Sequence, residues 1–517
     1  MKRFVPLILA VGLVLGSVGG ASSVEFKVKG EWDHYFNFGE ASMFKKPYDS
    51  RNSEDRELVD VFVPDSRIRM QLDAAVSENL SGTLQFEIGY IWGQSGGGAA
   101  GERSAPVRMR QAYIDWLVPG TELRTRMGIQ NVALPNVAGG SAVLDEDVAA
   151  IAASYKFNDH VSISALWLRP YNDNYIRDEH GGRNADNAFD NLDLAMLAVP
   201  LSFDGFSLTP WGMFGMMGKN AARFQLSTGG IPFAADDIQS GLFPVDLAMV
   251  EYGDNDPRLR FNRTYAAMFW VGIPITIDAF DPFNFAFDFN YGYMSGFGRY
   301  DDPRVEGRRN DSRREGFVVK ALAEYKTDWG VPGIFGWYGS GDSGNLRNGS
   351  GRMPHLVPAG NFTSFGQDGN FSDMDYSNLA VGERINKGFS GTWAVGAQVR
   401  DMSFLEDLSH TLRVAYWRGT NDPAMAKSLR DIFVDDPDES IRGRGIAWSR
   451  HPGSLYLTRN DYMVEFNLDT TYQIYENLEA CVELGYIVNG MDKSTWKWSG
   501  NQKGDAWKAT LNFRYSF

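Results

Sequence analysis

Apolar and polar side chains alternate in many short stretches of this chain. In its last eleven residues, large apolar or aromatic side chains from Trp507 to Phe517 share one parity, and polar side chains occupy the other. A period of two indicates a β-strand with two unlike faces. The same alternation runs through residues 24–33, 283–293 and 478–486. The pattern predicts a protein built of two-faced strands.

The middle stretch separates two ways of using such strands. Its apolar parity carries six consecutive aromatic residues: Phe283, Phe285, Phe287, Phe289, Tyr291 and Tyr293. On a soluble sheet that row would favour aggregation. Against lipid, with the tyrosines near the interface, it is the expected outer face of a membrane barrel. The last strand alone also fits a secreted β-sandwich, so the rest of the chain has to decide.

Short turns and long polar loops alternate along the whole chain. Eight short turns are predicted at 77–82, 119–120, 158–160, 204–205, 278–282, 328–332, 405–408 and 475–477. Nine longer loops lie around 37–64, 93–105, 130–147, 171–190, 217–262, 294–314, 341–390, 419–458 and 489–503. This organisation predicts an antiparallel up-and-down transmembrane β-barrel of 18 strands, with 16 as the alternative.

Closure of such a sheet follows from physics. An unpaired strand edge in hydrocarbon leaves backbone groups unsatisfied, so the first and last strands must pair. A barrel of about 16–18 strands is wide enough for an aqueous channel rather than a side-chain core. We therefore expect the chain to form a pore.

The N-terminus has the pattern of an export signal. Lys2 and Arg3 precede an apolar run from Phe4 to Val18, and small residues follow. This predicts a signal peptide over residues 1–23, cleaved after Ala21 or Ser23, and one barrel domain over 24–517. With one cysteine, Cys481, the chain cannot form an internal disulfide.

Composition agrees with an exported barrel. The chain has 517 residues, 14% aromatic residues, 56 glycines and a formal net charge of −15, which becomes −17 once Lys2 and Arg3 are removed. Beyond the signal, no apolar run is long enough for a transmembrane helix. The acidic balance argues against nucleic acid as a partner.

Three early strands each carry a pair of arginines two residues apart. These are Arg67 and Arg69, Arg108 and Arg110, and Arg124 and Arg126. An arginine that faces lipid at the midplane costs about 2–4 kcal/mol, so all six are expected to face the lumen. Sequential strands are neighbours, so the six would form one basic patch of wall. The alternative is that they are ordinary lumen or interface arginines without a shared role.

The segment that follows the third pair differs from the other long loops. Residues 131–147 are mildly apolar and end in Asp145, Glu146 and Asp147. Together with the export signal, the Glu78-Asn79-Leu80 turn and the C-terminal Tyr515-Ser516-Phe517, this third outer loop resembles the homotrimeric outer-membrane porins of sulfate-reducing bacteria. The resemblance covers the layout of the whole chain but only short stretches of motif.

The resemblance implies a location, partners and a constriction. It implies a multi-pass protein of the bacterial outer membrane, a homotrimer, and contact with lipid and lipopolysaccharide. Tyr515 and Phe517 would be the signal read by the barrel-assembly machinery. The third loop would fold inward, so that Asp145, Glu146 and Asp147 face the basic patch across a constriction with a transverse field. Alternatively, these acids only cap the next strand.

Catalytic and metal-binding patterns are weak. The six histidines are scattered, and nothing in the sequence orients His34 or His410 beside a serine. Asp254, Asp256, Asp373 and Asp375 are weak calcium candidates in loops, better explained as solvated acids. We expect no enzyme activity and no cofactor.

The predicted function is that of an outer-membrane porin, a passive water-filled channel for small hydrophilic solutes and ions. The alternative is a substrate-specific channel with weak lumen sites for a sugar, an amino acid or an organic anion. Ion selectivity stays open, because the net charge favours cations while the arginines favour anions.

Overall fold

The computed structural model describes residues 24–40, 61–93, 107–172, 189, 191–219, 221, 241–249, 259–302, 305–367, 388–426, 456–496 and 504–517. Strands dominate this part of the chain. They are β1 (Glu25–Glu40), β2 (Val61–Ser77), β3 (Leu80–Ile91), β4 (Val107–Leu117), β5 (Leu123–Ala133), β6 (Asp145–Lys156), β7 (Ser162–Asn172), β8 (Asn191–Ala198), β9 (Leu201–Phe203), β10 (Phe206–Leu208), β11 (Trp211–Gly218), β12 (Leu259–Phe261), β13 (Tyr265–Ile277), β14 (Phe283–Met294), β15 (Gly298–Asp301), β16 (Arg309–Asp311), β17 (Arg314–Tyr325), β18 (Val331–Gly339), β19 (Thr392–Leu405), β20 (Leu408–Gly419), β21 (Tyr462–Tyr475), β22 (Leu478–Gly490) and β23 (Ala506–Ser516). Among the described residues, short helices such as α1 (Val245–Met249) and α2 (Lys493–Trp496) lie in long loops.

Eighteen spanning strands form one closed antiparallel barrel. Each pairs with the next along the chain, and β9 and β10 extend β8 and β11 around the turn at 204–205. The barrel closes where β1 pairs with β23, from Glu31 opposite Ser516 to Glu40 opposite Trp507. The predicted 18-stranded barrel and its closure are confirmed.

All eight predicted short turns join strands at the same end of the barrel. The nine long connections lie at the other end, as expected of an up-and-down barrel. Two of them together form a small separate sheet, with β12 from the connection between β11 and β13, and β15 and β16 from the connection between β14 and β17. No helix in the described ranges is long and apolar enough to cross a membrane.

The outward face of the barrel is apolar. Val28 is 54% exposed, and Phe283, Phe287 and Phe289 are similarly exposed, whereas Asp288 on the opposite parity is buried. Exposed apolar side chains recur on every long strand. A closed sheet that shows this face to its surroundings and its polar face to its interior is built to span a membrane.

Two long connections fold into the barrel. Residues 134–144, between β5 and β6, and residues 351–367, between β18 and β19, are largely buried and contact inward-facing side chains of distant strands. We call these two segments together the lumen rib. They determine which part of the interior stays open.

Candidate functional site

Arg67 and Arg69 lie on the inward parity of β2, opposite exposed Met70. The guanidinium of Arg67 donates to Asp33 on β1 at 2.9 Å, and that of Arg69 donates to Glu87 on β3 at 2.8 Å. Neither arginine is therefore an isolated cation. Both are held by carboxylates on neighbouring strands.

These contacts belong to a longer row of ion pairs. The row, which we call the charge ladder, runs through Glu479, Arg514, Asp33, Arg67, Glu31, Arg69, Glu87, Arg110 and Asp147. Its members come from β22, β23, β1, β2, β3, β4 and β6. The ladder begins beside the short turn before β22 and ends at β6 beside the lumen rib.

Arg110 joins the ladder through a β-bulge. The pairing of β3 with β4 shifts between Gln85 and Phe86, so that Arg110 is the extra residue. Arg110 then donates to Asp147 at 2.7 Å, and the adjacent Gln111 donates to the same carboxylate at 2.8 Å. The bulge thus allows two consecutive side chains to contact one acid.

The other arginines of the predicted patch lie apart from the ladder. Arg126 makes a two-point ion pair with Asp115, at 2.7 and 2.8 Å, and its guanidinium lies over the ring of Tyr113. Arg124 is exposed near the short turn. Arg108 is exposed and lies opposite Glu87 in the register. The structure therefore brings together three of the six arginines, not all six.

The three acids also differ from the expected arrangement. Asp145, Glu146 and Asp147 are the first residues of β6 and pair with β5, so they do not form the tip of an inward loop. Asp147 contacts Arg110 directly instead of facing it across an opening. Asp145 accepts from the Asn131 amide at 3.2 Å, and Glu146 is exposed. The reason is register: these residues begin a strand that pairs with β5.

The inward loop itself is confirmed as a structural feature, and it has a partner that the sequence did not reveal. The peptide N–H of Leu356 donates to Val143 O at 2.9 Å, and that of Asn361 donates to Gly139 O at 2.8 Å. Gly139 and Gly140 have φ of 68° and 85°. A Cβ on Gly140 would lie 1.8 Å from Ala359 O, so only glycine fits this approach.

One end of the rib is held by a buried ion pair. Lys320 on β17 and Asp288 on β14 lie 3.1 Å apart with side chains 0% and 1% exposed. Lys320 donates to Gly140 O, while Asp288 accepts the peptide N–H of Ala138 at 2.8 Å and that of Val137 at 3.2 Å. Both charges therefore have partners in the rib.

The other end of the rib is held by β21 and β23. Glu465 accepts the peptide N–H groups of Phe365 and Gly366 at 3.1 and 2.9 Å. Lys508 donates to Ser364 O at 2.7 Å and to Glu483 at 2.6 Å. The rib is therefore held by β14 and β17 at one end and by β21 and β23 at the other.

Aromatic packing fills the side of the interior between the rib and strands β13 to β21, which we call the packed wall. Phe362 of the rib stacks on Phe335 and Trp337, with ring centroids 4.8 and 5.7 Å apart. The Trp270 indole donates to Pro354 O at 2.8 Å. Trp270, Trp337 and Trp417 are almost completely buried. The interior between the rib and strands β13 to β21 is therefore filled by side chains.

The rib also contains a buried histidine. His355 is 3% exposed, and its burial, with Arg314 and Arg352 nearby, holds the pKa of the imidazole well below its ordinary value. The side chain is therefore neutral near pH 7.

Other residues singled out from the sequence have varied settings. Phe517 exchanges two backbone hydrogen bonds with Gly30, and Tyr515 and Phe517 pack beside Trp32 on the outward face of the barrel seam. Cys481 is buried on the inward parity of β22. The calcium candidates Asp254, Asp256, Asp373 and Asp375, and the predicted signal peptide, lie outside the described residues.

One pairing was missed by the sequence. His34 Nδ1 lies 2.8 Å from Ser66 Oγ on adjacent strands. Ser66 is completely buried, and its hydroxyl also accepts the indole N–H of Trp92 at 2.7 Å. Within the described residues His34 has no carboxylate partner, so this pair lacks the orienting acid of a hydrolase.

The acidic members of the ladder other than Asp147 were also missed, although a signal was present. Glu31 and Asp33 fall on the polar parity of β1, and Arg514 falls on the polar parity of β23. The alternation pattern alone therefore predicts that these side chains face inward. Their partners depended on the register across the seam and on the bulge in β4.

The fold and the lumen together define a class: a wide, closed, up-and-down transmembrane β-barrel whose interior is narrowed by inward-folded loops. No known protein family matches the chain, and no curated protein does. Among solved structures it is similar to OccAB2 of Acinetobacter baumannii, at 12% identity, 95% and 98% coverage of the two chains and a TM-score of 0.47. It is also similar to OpdQ and OccK3 (OpdO) of Pseudomonas aeruginosa, at 10% and 12% identity. Each covers 95% of this chain and 98% or 96% of its own, and both have TM-scores of 0.46.

Proposed function

We propose that this protein is an outer-membrane porin, a passive water-filled channel for small hydrophilic solutes and ions. The observation that carries the proposal is the closed 18-stranded barrel with an apolar outward face and a charged inner wall whose side chains are partly exposed. Such a barrel is wide enough for an aqueous path. It needs no cofactor and no chemical step.

The conducting path runs between the lumen rib and the charge ladder. The packed wall is closed by aromatic side chains, whereas all ladder members except Asp33 keep part of their side-chain surface exposed. Seven ladder residues lie on the inward parity of their strands: Glu479, Arg514, Asp33, Arg67, Glu31, Arg69 and Glu87. Solutes would therefore pass beside paired charges.

A substrate-specific channel is the second candidate, and one observation favours it. The rib fills much of the interior, which leaves a narrower path than an open 18-stranded barrel would have. A narrow path lined by fixed charges can hold a solute weakly. Several inward aromatic side chains that such a channel could use, Trp270, Trp337 and Trp417, are buried under the rib.

The test is planar-bilayer recording of the purified mature protein under a KCl gradient, followed by addition of candidate solutes. Ohmic steps that solutes do not block support the general porin. Small steps with saturable block by one solute support the specific channel. A correctly folded protein that gives no conductance contradicts both.

Assembly is a separate part of the proposal. We propose a homotrimer in contact with outer-membrane lipid and lipopolysaccharide, and recognition of Tyr515 and Phe517 by the barrel-assembly machinery. The exposed position of these two side chains at the seam is compatible with that recognition. Conductance steps that close in threes would support the trimer, and Phe517→Ala should lower the amount of folded protein in the outer membrane. Unchanged insertion would contradict the assembly role.

A further inference from the structure

The charge ladder has a strict alternation that bears on what the channel carries. Each of its four arginines contacts two carboxylates, and each internal carboxylate contacts two arginines. Arg69, for example, contacts Glu31 at 3.4 Å and Glu87 at 2.8 Å, and Glu87 in turn contacts Arg110 at 3.1 Å. The row ends in Glu479 and Asp147, so it contains one more acid than bases.

Such a row acts differently from a basic patch. The field of one arginine is largely cancelled within a few ångströms by the two carboxylates beside it, because opposite charges at contact distance form a compact multipole. A cation or an anion in the path is therefore only weakly attracted by the wall. A solute that carries both signs can engage an acid and a base at the same time.

We infer that the conducting path follows the charge ladder and favours dipolar solutes, which carry an ammonium and a carboxylate, over ions of either sign. The inference rests on the proposed channel function and names the solute class of that same site. It replaces the expectation of cation preference from the net charge and that of anion preference from the arginines, because each arginine of the ladder is neutralised by adjacent carboxylates.

The exposed members of the ladder supply the contacts. Glu31 has the most exposed side chain, at 30%, and its two arginines are at the long distances of 3.4 and 3.7 Å. Its oxygens can therefore accept from an ammonium group. Arg69 is 20% exposed on the inward parity of β2 and can donate to a carboxylate of the solute. Because the signs repeat along the wall, a dipolar solute finds a similar site at each step.

The first experiment removes one positive charge or one negative charge from the ladder. The variants are Arg69→Gln and Glu87→Gln, whose side chains are about equally exposed and contact each other. The control is Arg169→Gln, which breaks an equally short ion pair with Asp193. Asp193 shares its parity on β8 with exposed Leu197, so this pair lies on the outward face and not on the lumen wall. Migration of unheated protein in detergent gels confirms that each variant is folded.

The readout is the potassium-to-chloride permeability ratio from the reversal potential. The unmodified channel and Arg169→Gln should stay near unity. Arg69→Gln should raise the ratio by at least about threefold and Glu87→Gln should lower it by a similar factor, since each leaves one uncompensated charge beside the path. The double variant should return close to unity.

The second experiment tests the solute class with two isomers, β-alanine, which is zwitterionic, and lactamide, which is neutral. In liposome swelling, β-alanine should enter at least about threefold faster than lactamide through the unmodified channel, because only β-alanine can engage both signs of the wall. The double variant keeps charge balance but lacks one acid–base pair of the ladder, so its preference should be smaller than that of the unmodified channel.

The outcomes separate the two levels of the proposal. If the folded protein does not conduct, the channel function itself fails. If it conducts but Arg69→Gln and Glu87→Gln leave the permeability ratio unchanged, the path does not follow the ladder and the inference is overturned. Equal entry of the two isomers overturns the solute class alone.

Discussion

The two sides of the lumen use ion pairs in opposite settings. On the packed wall, Lys320 and Asp288 are completely dehydrated and both also bind the rib backbone. On the charge ladder, contacts of similar length, such as Arg69 with Glu87, keep about a fifth of each side chain exposed. Distance alone does not distinguish these pairs. Exposure to water does: the buried charges hold a loop in place, and the exposed charges can contact a solute.

The largest effect is expected on the packed wall. Lys320→Met leaves the Asp288 carboxylate buried without its counter-charge, which should lower the free energy of unfolding by roughly 3–5 kcal/mol. Adding Asp288→Asn should restore more than half of the loss. Urea titration in lipid vesicles, followed by tryptophan fluorescence, measures both. A loss no larger than that of Arg169→Gln would remove the distinction between the two walls.

Rib packing comes next. Phe362→Ala removes a ring stacked on Phe335 and Trp337, and it should cost about 3 kcal/mol by the same titration, with a rise in single-channel conductance as the rib loosens. Phe280→Ala, at a 63% exposed turn position, is the matched control and should change little. Equal effects at the two positions would mean that the rib is not packed against the wall.

Low pH should lower the stability of the protein through His355 of the lumen rib. The pKa of His355 is depressed in the folded protein below the ordinary 6.5, so below that pH the unfolded chain binds the additional proton. Stability should therefore fall as the pH drops, by up to about 1.4 kcal/mol per unit below pH 6.5. His355→Gln should remove this part of the slope between pH 7 and pH 5. An unchanged slope would show that His355 is not the group responsible.

The smallest effect is expected at the exposed ion pair of Arg126 and Asp115, which lies apart from the ladder. Arg126→Gln leaves Asp115 38% exposed to water, so the unfolding free energy should change by less than about 1 kcal/mol. The permeability ratio should move less than it does in Arg69→Gln, because the remaining charge is screened. A larger shift at Arg126 would place the narrowest part of the path near the short turns instead of along the ladder.

Much of the barrel was predictable because alternation and turn chemistry are local. The row from Phe283 to Tyr293 identifies one face of β14 without any knowledge of its neighbours. Residues 351–367 gave no such signal. Their buried Met353, Leu356 and Phe362 follow neither a period of two nor one of 3.6, because the segment is fixed by contacts with distant strands.

The candidate site was predictable only in part, for a related reason. The inward orientation of Arg67 and Arg69 follows from parity. That their charges are neutralised does not, since Asp33 and Glu87 come from other strands and the pairing depends on register. The bulge at Arg110 adds a residue that no alternation pattern would place beside Asp147.

Asp33 also bears on how the barrel closes correctly. Its carboxylate accepts from Arg67 on the second strand, and from Arg514 and Asn512 on the last. A slip of one residue at the seam would turn Arg514 to the opposite face and leave this carboxylate without two of its donors. One side chain in the first strand therefore favours the correct register of the last strand. A shifted closure is less stable as soon as it forms, because it leaves this buried carboxylate with fewer hydrogen-bond donors.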